Sequence, residues 1–223
     1  MAANTISDDN ALAQQRVADL RDRISRLDDA GLDILFREAR SHTDWTSKPV
    51  GDNLLKELYE LTALGPTANN GCPMRLIFVR SPEGKGRLKP ALSPGNLPKV
   101  EAAPVTAIIA FDAKWYELLP RMFAHNPEYS EKSVALFNAD PASAEAAGFR
   151  NGTLQGAYFM LAARALGLDV GPMSGFQTSV VDAGFFVGTT YKTNFLCNIG
   201  YGDANGIFPR NPRFAFEEVC EVI

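Results

Sequence analysis

The run VTAIIAFD, Val105–Asp112, narrows the choice of fold more than any other stretch of this 223-residue chain. It is nearly all apolar, rich in β-branched and aromatic residues, and too short for a buried helix. A strand that does not alternate apolar with polar residues is covered on both faces, so this one is read as the central strand of a sheet. RLIFVR, residues 75–80, is a shorter strand bounded by Pro73 and Ser81-Pro82, and TNFLCNIGYGD is a strand running into a turn. The helical segments have a different period. Asp52 is the expected N-cap of DNLLKELYELTAL, whose Leu54, Leu55, Leu58 and Leu61 share a face until Gly65-Pro66 ends it. Residues 142–166 are apolar around much of their circumference, which marks a long helix of the core, or a core helix that also forms a dimer seam. Short helices are expected over residues 86–92, through Glu101, over residues 178–185 and in the tail FEEVCEVI. DVGPMSGF is read as a glycine-rich turn, and residues 115–140 as an irregular, aromatic insert longer than an ordinary connection, suited to a lid that selects substrate.

There is no internal repeat, low-complexity linker or compositional break. Residues 31–223 are therefore read as one α+β domain, preceded by a helical extension, residues 1–30, in which Leu20, Ile24 and Leu27 form a narrow buried stripe. A hydrophobic fraction of 46% supports a full core, and a net charge of -4 with dispersed lysines and arginines speaks against nucleic acid as a partner. No basic-flanked apolar leader and no membrane-length apolar run occur, so the expected location is the cytoplasm, away from membranes. Cys72, Cys197 and Cys220 lack CxxC spacing, and His42 and His125 lack a ligand at helical spacing. Three reduced thiols and no protein-bound metal follow.

No GxGxxG opens a helix after a strand, no GxxxxGK[ST] occurs, and no GxSxG or Cys/His pairing suggests acyl transfer. The remaining signals are polar or glycine-rich loops far apart in the chain. GPTANNGCPMRLIFV, residues 65–79, resembles the loop before the first strand of the nitroreductase superfamily, with Pro66, Thr67, Asn70, Pro73 and Arg75 on matching positions. Cys72 stands where that motif usually has glutamine, and Met74 where it has an aromatic. REARSHTDW resembles the family's flavin-phosphate segment, with Arg40 on its first arginine and His42 where serine is common. SPGN, LGLDVGPMSGF, NIGYGD and PRFAFEEV follow in the family's order, so the resemblance runs from about Leu32 to the C-terminus. Within the family, the segments are most similar to malonic semialdehyde reductases of pyrimidine degradation.

The resemblance implies a nitroreductase-like fold, with a central, mostly antiparallel sheet flanked by helices and an intertwined homodimer whose active sites lie at the subunit interface. It also implies FMN as cofactor and NADH or NADPH as electron donor, with a small molecule as acceptor. Guanidinium forks suit a phosphate, so Arg40 and Arg213 are the expected phosphate ligands, with Arg210 as a nearby substitute. His42, Asn70 and Asn96 can hydrogen-bond the ribityl chain or ring edge. Pro66 and Thr67 belong to the loop that reaches the partner's flavin. Pro172, Met173, Ser174 and Gly175 offer backbone close to the ring. The flavin itself carries the hydride, and no catalytic side chain is assigned. The implied activity is reduction of malonic semialdehyde to 3-hydroxypropionate. The alternatives are a general nitroaromatic or quinone reductase and a flavin-binding protein without turnover. A substrate carboxylate would need a cation, and Arg75, Arg121, His125 and Arg150 are the unranked candidates, with Tyr116 a candidate proton donor.

Overall fold

The computed structural model describes residues 2–24 and 26–223. Met1 and Ser25, both within the predicted extension, lie outside the described residues. Residues 1–39 and 40–223 form two separate compact units. The first holds helix α1 (Ala2–Arg23), the short helix α2 (Asp29–Leu32) and a π-helical turn over Asp33–Arg37. Gly31 lies inside α2, and its N–H donates to the Asp28 carboxylate that caps the helix. Leu20, Ile24 and Leu27 are not a buried stripe either: their exposures are 48%, 53% and 46%.

The second unit is built on one antiparallel sheet. In chain order its elements are α3 (Asp52–Thr62), β1 (Met74–Val79), α4 (Pro82–Leu88), α5 (Leu97–Ala102), β2 (Val105–Asp112), α6 (Leu119–Met122), α7 (Pro127–Ala139), α8 (Pro141–Ala165), β3 (Asp169–Met173), α9 (Thr178–Phe185), β4 (Tyr191–Gly200) and α10 (Phe216–Val219). The strand order is β1-β2-β4-β3. Every residue of β2 is buried, and pairing with β1 (Met74↔Phe111) on one side and β4 (Val105↔Ile199) on the other satisfies its backbone. A register shift between Ile109 and Ala110 adjusts the pairing with β4.

Successive side chains of β2 feed two cores. Val105, Ala107 and Ile109 pack with Leu55 and Leu58 of α3 and Phe159 and Ala163 of α8. Ile108 and Ala110 pack with Leu88, Val100, Val181 and Phe186 on the other face. Helix α8 comes close to the sheet because Gly148, Gly152 and Gly156, four residues apart, face it. A Cβ on Gly152 would lie 3.0 Å from Phe111, and one on Gly156 2.6 Å from Phe195.

Several local expectations change. Helix α3 begins at Asp52 after an uncapped Gly51, and α4 begins at Pro82, earlier than expected, because Ser81 caps it by accepting from Gly84 N. The strand expected over residues 75–80 is shifted by one. DVGPM is strand β3 and not a turn, since β4 supplies a full antiparallel partner. Residues 115–140 are not irregular: they hold a 3-10 turn at Trp115–Leu118 followed by α6 and α7, anchored by a small core of Trp115, Tyr116, Leu119 and Ala144. The C-terminal helix covers only Phe216–Val219 of its expected span. No helix among the described residues is long and apolar enough to cross a membrane.

Leu196 of β4 is fully buried in the second core. Leu196→Ala is expected to lower the free energy of unfolding by about 2–5 kcal/mol, read as a shift in the urea midpoint at unchanged slope.

Candidate active site

Two groups of side chains collect at opposite edges of the sheet. At the β3 edge, Ser41 bridges Val170 in parallel, and His42 N donates to Val170 O at 2.9 Å. Asp169 then holds two partners: one carboxylate oxygen lies 3.3 Å from His42 Nε2, and the other accepts from Gly202 N at 2.8 Å. The imidazole is almost enclosed, and its Nδ1 is buried with no hydrogen-bond partner among the described residues. Gly202 is required here, because a Cβ on it would occupy the position of the His42 ring. A Cβ on Gly171 would meet the carbonyl of His42. Arg40 donates to the carbonyl of Phe208 in the C-terminal segment. Arg164 is half-buried, and its pKa is lowered chiefly by burial. The nearby Asp169 carboxylate opposes that shift, whereas Arg210 adds to it.

Further along the same edge, Asn96 Nδ2 and Ser93 N both donate to Gly175 O at 3.0 Å, while Asn96 Oδ1 lies 3.3 Å from Lys99 Nζ. The structure thus brings Arg40, His42, Asn96 and the stretch Pro172–Gly175 to one edge. Arg213 stands apart on the exposed tail, with its guanidinium turned back to the carbonyls of Asn211 and Pro212.

Pro66, Thr67 and Asn70 lie at the opposite edge, in the loop that enters β1. Three strand spacings, about 14 Å, separate the two edge strands. Asn69, Asn70 and Cys72 all have positive φ (54°, 50° and 42°). Asparagine tolerates this region, but the cysteine is strained by roughly 1–2 kcal/mol. Surrounding contacts hold the loop in place. Thr67 Oγ1 accepts from Cys72 N at 3.1 Å, Asn151 Oδ1 from Ala68 N at 2.8 Å, and Met122 O from Asn70 Nδ2 at 2.8 Å. The Tyr129 hydroxyl meets Asn69 Oδ1 at 3.2 Å, and Gly71 lies flat on Trp115, where a Cβ would come to 2.5 Å from the ring.

This loop forms a wall of a cavity of about 720 Å³ whose lining includes Asn70, Cys72, Arg75, Arg121 and Gln155. Arg75 is internally paired: it meets Asp112 at 2.9 Å, donates to the carbonyls of Cys72, Pro73 and Met74, and lies over Tyr191. Arg150 faces a different, apolar groove on α8 with Phe149 and Leu154. His125 is exposed and packs on Phe123, and the Tyr116 hydroxyl meets Asn138 Oδ1 at 3.0 Å. Asp169, Asn151 and Gln155, which accepts from Met74 N, were not anticipated. Only Asp169 carried a local signal, as the acid that opens DVGPM. The cysteines are unbridged, and burial pushes the Cys197 thiol up to about 12, so it is no nucleophile at neutral pH.

The fold is that of a known class of oxidoreductases. The nitroreductase family pattern matches residues 36–201, and the chain belongs to that family. A Burkholderia lata protein provisionally named NADH dehydrogenase/NAD(P)H nitroreductase is 53% identical over 89% of this chain and its own full length. A similarly named Cupriavidus pinatubonensis protein is 50% identical over 86% of this chain and 96% of its own. Among solved structures, a provisionally assigned Bacillus subtilis nitroreductase superposes with a TM-score of 0.79 at 24% identity, covering 87% of this chain and 99% of its own. One from Exiguobacterium sibiricum in complex with FMN gives 0.76 at 20% identity, covering 89% and 98%. At these identities the superpositions speak for the fold.

Gly202→Ala is expected to push the His42 ring off Asp169 at a cost of about 1–3 kcal/mol, seen as a lower thermal midpoint. Gly51→Ala is the control, because nothing lies within 4 Å of its Cβ. Iodoacetamide at pH 8 is expected to label exposed Cys220 and spare Cys197 until the protein is unfolded.

Proposed function

We propose that the chain is an FMN-dependent oxidoreductase that draws electrons from NAD(P)H, works as a cytoplasmic homodimer, and reduces malonic semialdehyde to 3-hydroxypropionate. The observation that carries this reading is the division of the candidate flavin ligands between opposite sheet edges. A second copy, bringing its Pro66–Asn70 loop to the β3 edge of the first, would enclose one flavin between them. Exposed apolar residues of the tail support a second copy: Phe208 and Phe214 are each 77% exposed, and Val222 86%.

The residues present fit FMN. The orphaned Nδ1 of His42 offers a buried polar contact, and Arg40, with Arg213 or Arg210, offers guanidinium forks for the phosphate. Asn70 and Asn96 offer amides to the ribityl chain and ring edge. Pro172, Met173, Ser174 and Gly175 offer backbone, and the space a Cβ on Gly175 would need is taken by Asn96 and Ser93, which keeps the Asn96 amide against that backbone. Pro66 and Thr67 would close the ring's far side from the partner. Residues 31–223 are the proposed FMN-binding domain, and residues 1–30 a separate extension.

Bound FMN supplies a two-electron hydride carrier between the nicotinamide and the acceptor. In the net reaction the aldehyde gains the hydride at carbon and a solvent proton at oxygen, while NAD(P)H becomes NAD(P)⁺. The protein's part is to orient the acceptor, and the cavity lining, which has no carboxylate and includes Arg121 without an acidic partner among the described residues, suits an anionic one. The names of the two relatives support a second reading, in which the acceptor is a nitroaromatic or quinone.

Freshly purified protein is expected to be yellow and to bleach anaerobically with NADH or NADPH. Flavin that stays oxidised would leave a binding protein without turnover, and a preparation that takes up no FMN would end the proposal. Arg40→Ala is expected to weaken FMN binding by roughly 10- to 100-fold with the dimer intact by size exclusion. The kcat/KM for malonic semialdehyde against that for a nitroaromatic separates the two acceptor readings.

A further inference from the structure

Four cations stood as candidates to receive a substrate's negative charge, and their surroundings separate them. Arg75 is committed to Asp112 and three carbonyls, Arg150 faces the apolar groove on α8, and His125 is packed on Phe123. Arg121 is different. It lines the cavity with its side chain exposed to solvent, and among the described residues its one polar neighbour is the Met122 sulfur at 3.9 Å, beyond any useful hydrogen bond. The cavity wall contains no aspartate or glutamate to neutralise it.

The backbone that carries Arg121 is held firmly. Leu119, two residues earlier, is buried in the small core with Trp115 and Tyr116, and Met122 O accepts from Asn70 Nδ2 in the strained loop. The guanidinium is therefore a five-donor fork on a fixed base, beside the amides of Asn70 and Gln155, in a cavity large enough for a small molecule.

We propose that Arg121 is a specificity-determining residue that binds the carboxylate of the acceptor, so that the preferred acceptors are small electrophiles bearing a carboxylate. This rests on the oxidoreductase reading only in taking the cavity as the acceptor's site; carboxylate binding itself can be tested without turnover.

The test uses a matched pair of acceptors, 4-nitrobenzoate and 4-nitrobenzamide, which have nearly the same shape but differ in charge. With FMN-loaded protein, Arg121→Gln is expected to lower the ratio of kcat/KM for benzoate over benzamide by roughly 10- to 100-fold, mainly through KM. Arg121→Lys is expected to recover part of that ratio, since the charge returns without the fork. Arg150→Gln, outside the cavity, should leave the ratio unchanged. Calorimetry of 4-nitrobenzoate binding to wild-type and Arg121→Gln protein gives a second readout that needs no electron transfer. Loss of heat and affinity in the variant supports the assignment even in a preparation without FMN. An unchanged ratio together with unchanged benzoate affinity overturns it, as does an equal fall for both acceptors.

Discussion

Everything in the larger unit depends on β2 being enclosed on both faces and both edges. A strand with all eight residues buried has no solvent to satisfy its backbone, so β1 and β4 must lie beside it. Its alternating side chains must also be covered from above and below. That requirement draws α8 down onto one face through three glycines and packs α4, α5 and α9 on the other. With only one further strand to place, β1 and β3 become the two edges. The loops with polar chemistry enter or leave these edge strands, where backbone is free to meet a ligand. Burial at the centre thus sends the chemistry to the margins.

The two margins are built differently. At the β3 edge, contacts are made by one carboxylate that shares its oxygens between a side chain and a backbone amide, joining Ser41–His42 to the turn after β4. Removing Asp169 would leave the almost enclosed His42 ring without its partner, whereas Gly202 N, which is only partly buried, could turn to water. At the β1 edge the loop adopts unfavourable φ angles that no single contact could maintain. Several hydrogen bonds and the face of Trp115 together outweigh the strain of Cys72. The insert of α6 and α7 is tied to that same loop through Met122 and Tyr129. A change in one would be felt by the other, so the insert and the loop are one mechanical unit.

Much of this was legible in the residues themselves, and the failures have local causes. VTAIIAFD declared its burial through composition, and the leucines of α3 declared their face through spacing. The nitroreductase resemblance gave the order of the loops and the family. DVGPM was misread because glycine and proline usually break strands. Here proline sits on an edge strand, where a missing N–H costs little, and β4 provides the pairing. Residues 115–140 looked irregular because their aromatics lack a clean helical period. They serve a separate core around Trp115, and no local pattern reports that. Asp169, Asn151 and Gln155 were missed for a related reason: each matters through a backbone group 33 to 83 residues away, a distance no motif spans.

Local and overall charge point in opposite directions. The chain carries a net charge of -4, yet the cavity beside the strained loop is lined by two arginines and no acid. The two arginines do not contribute equally. Asp112 compensates Arg75, whose fixed donors serve the entry to β1, so its role is to hold the loop. Arg121 is exposed and has no acidic partner among the described residues, and it sits on the segment that also presents Met122 to Asn70. The residue that would sense a substrate's charge is therefore carried by the element that braces the loop.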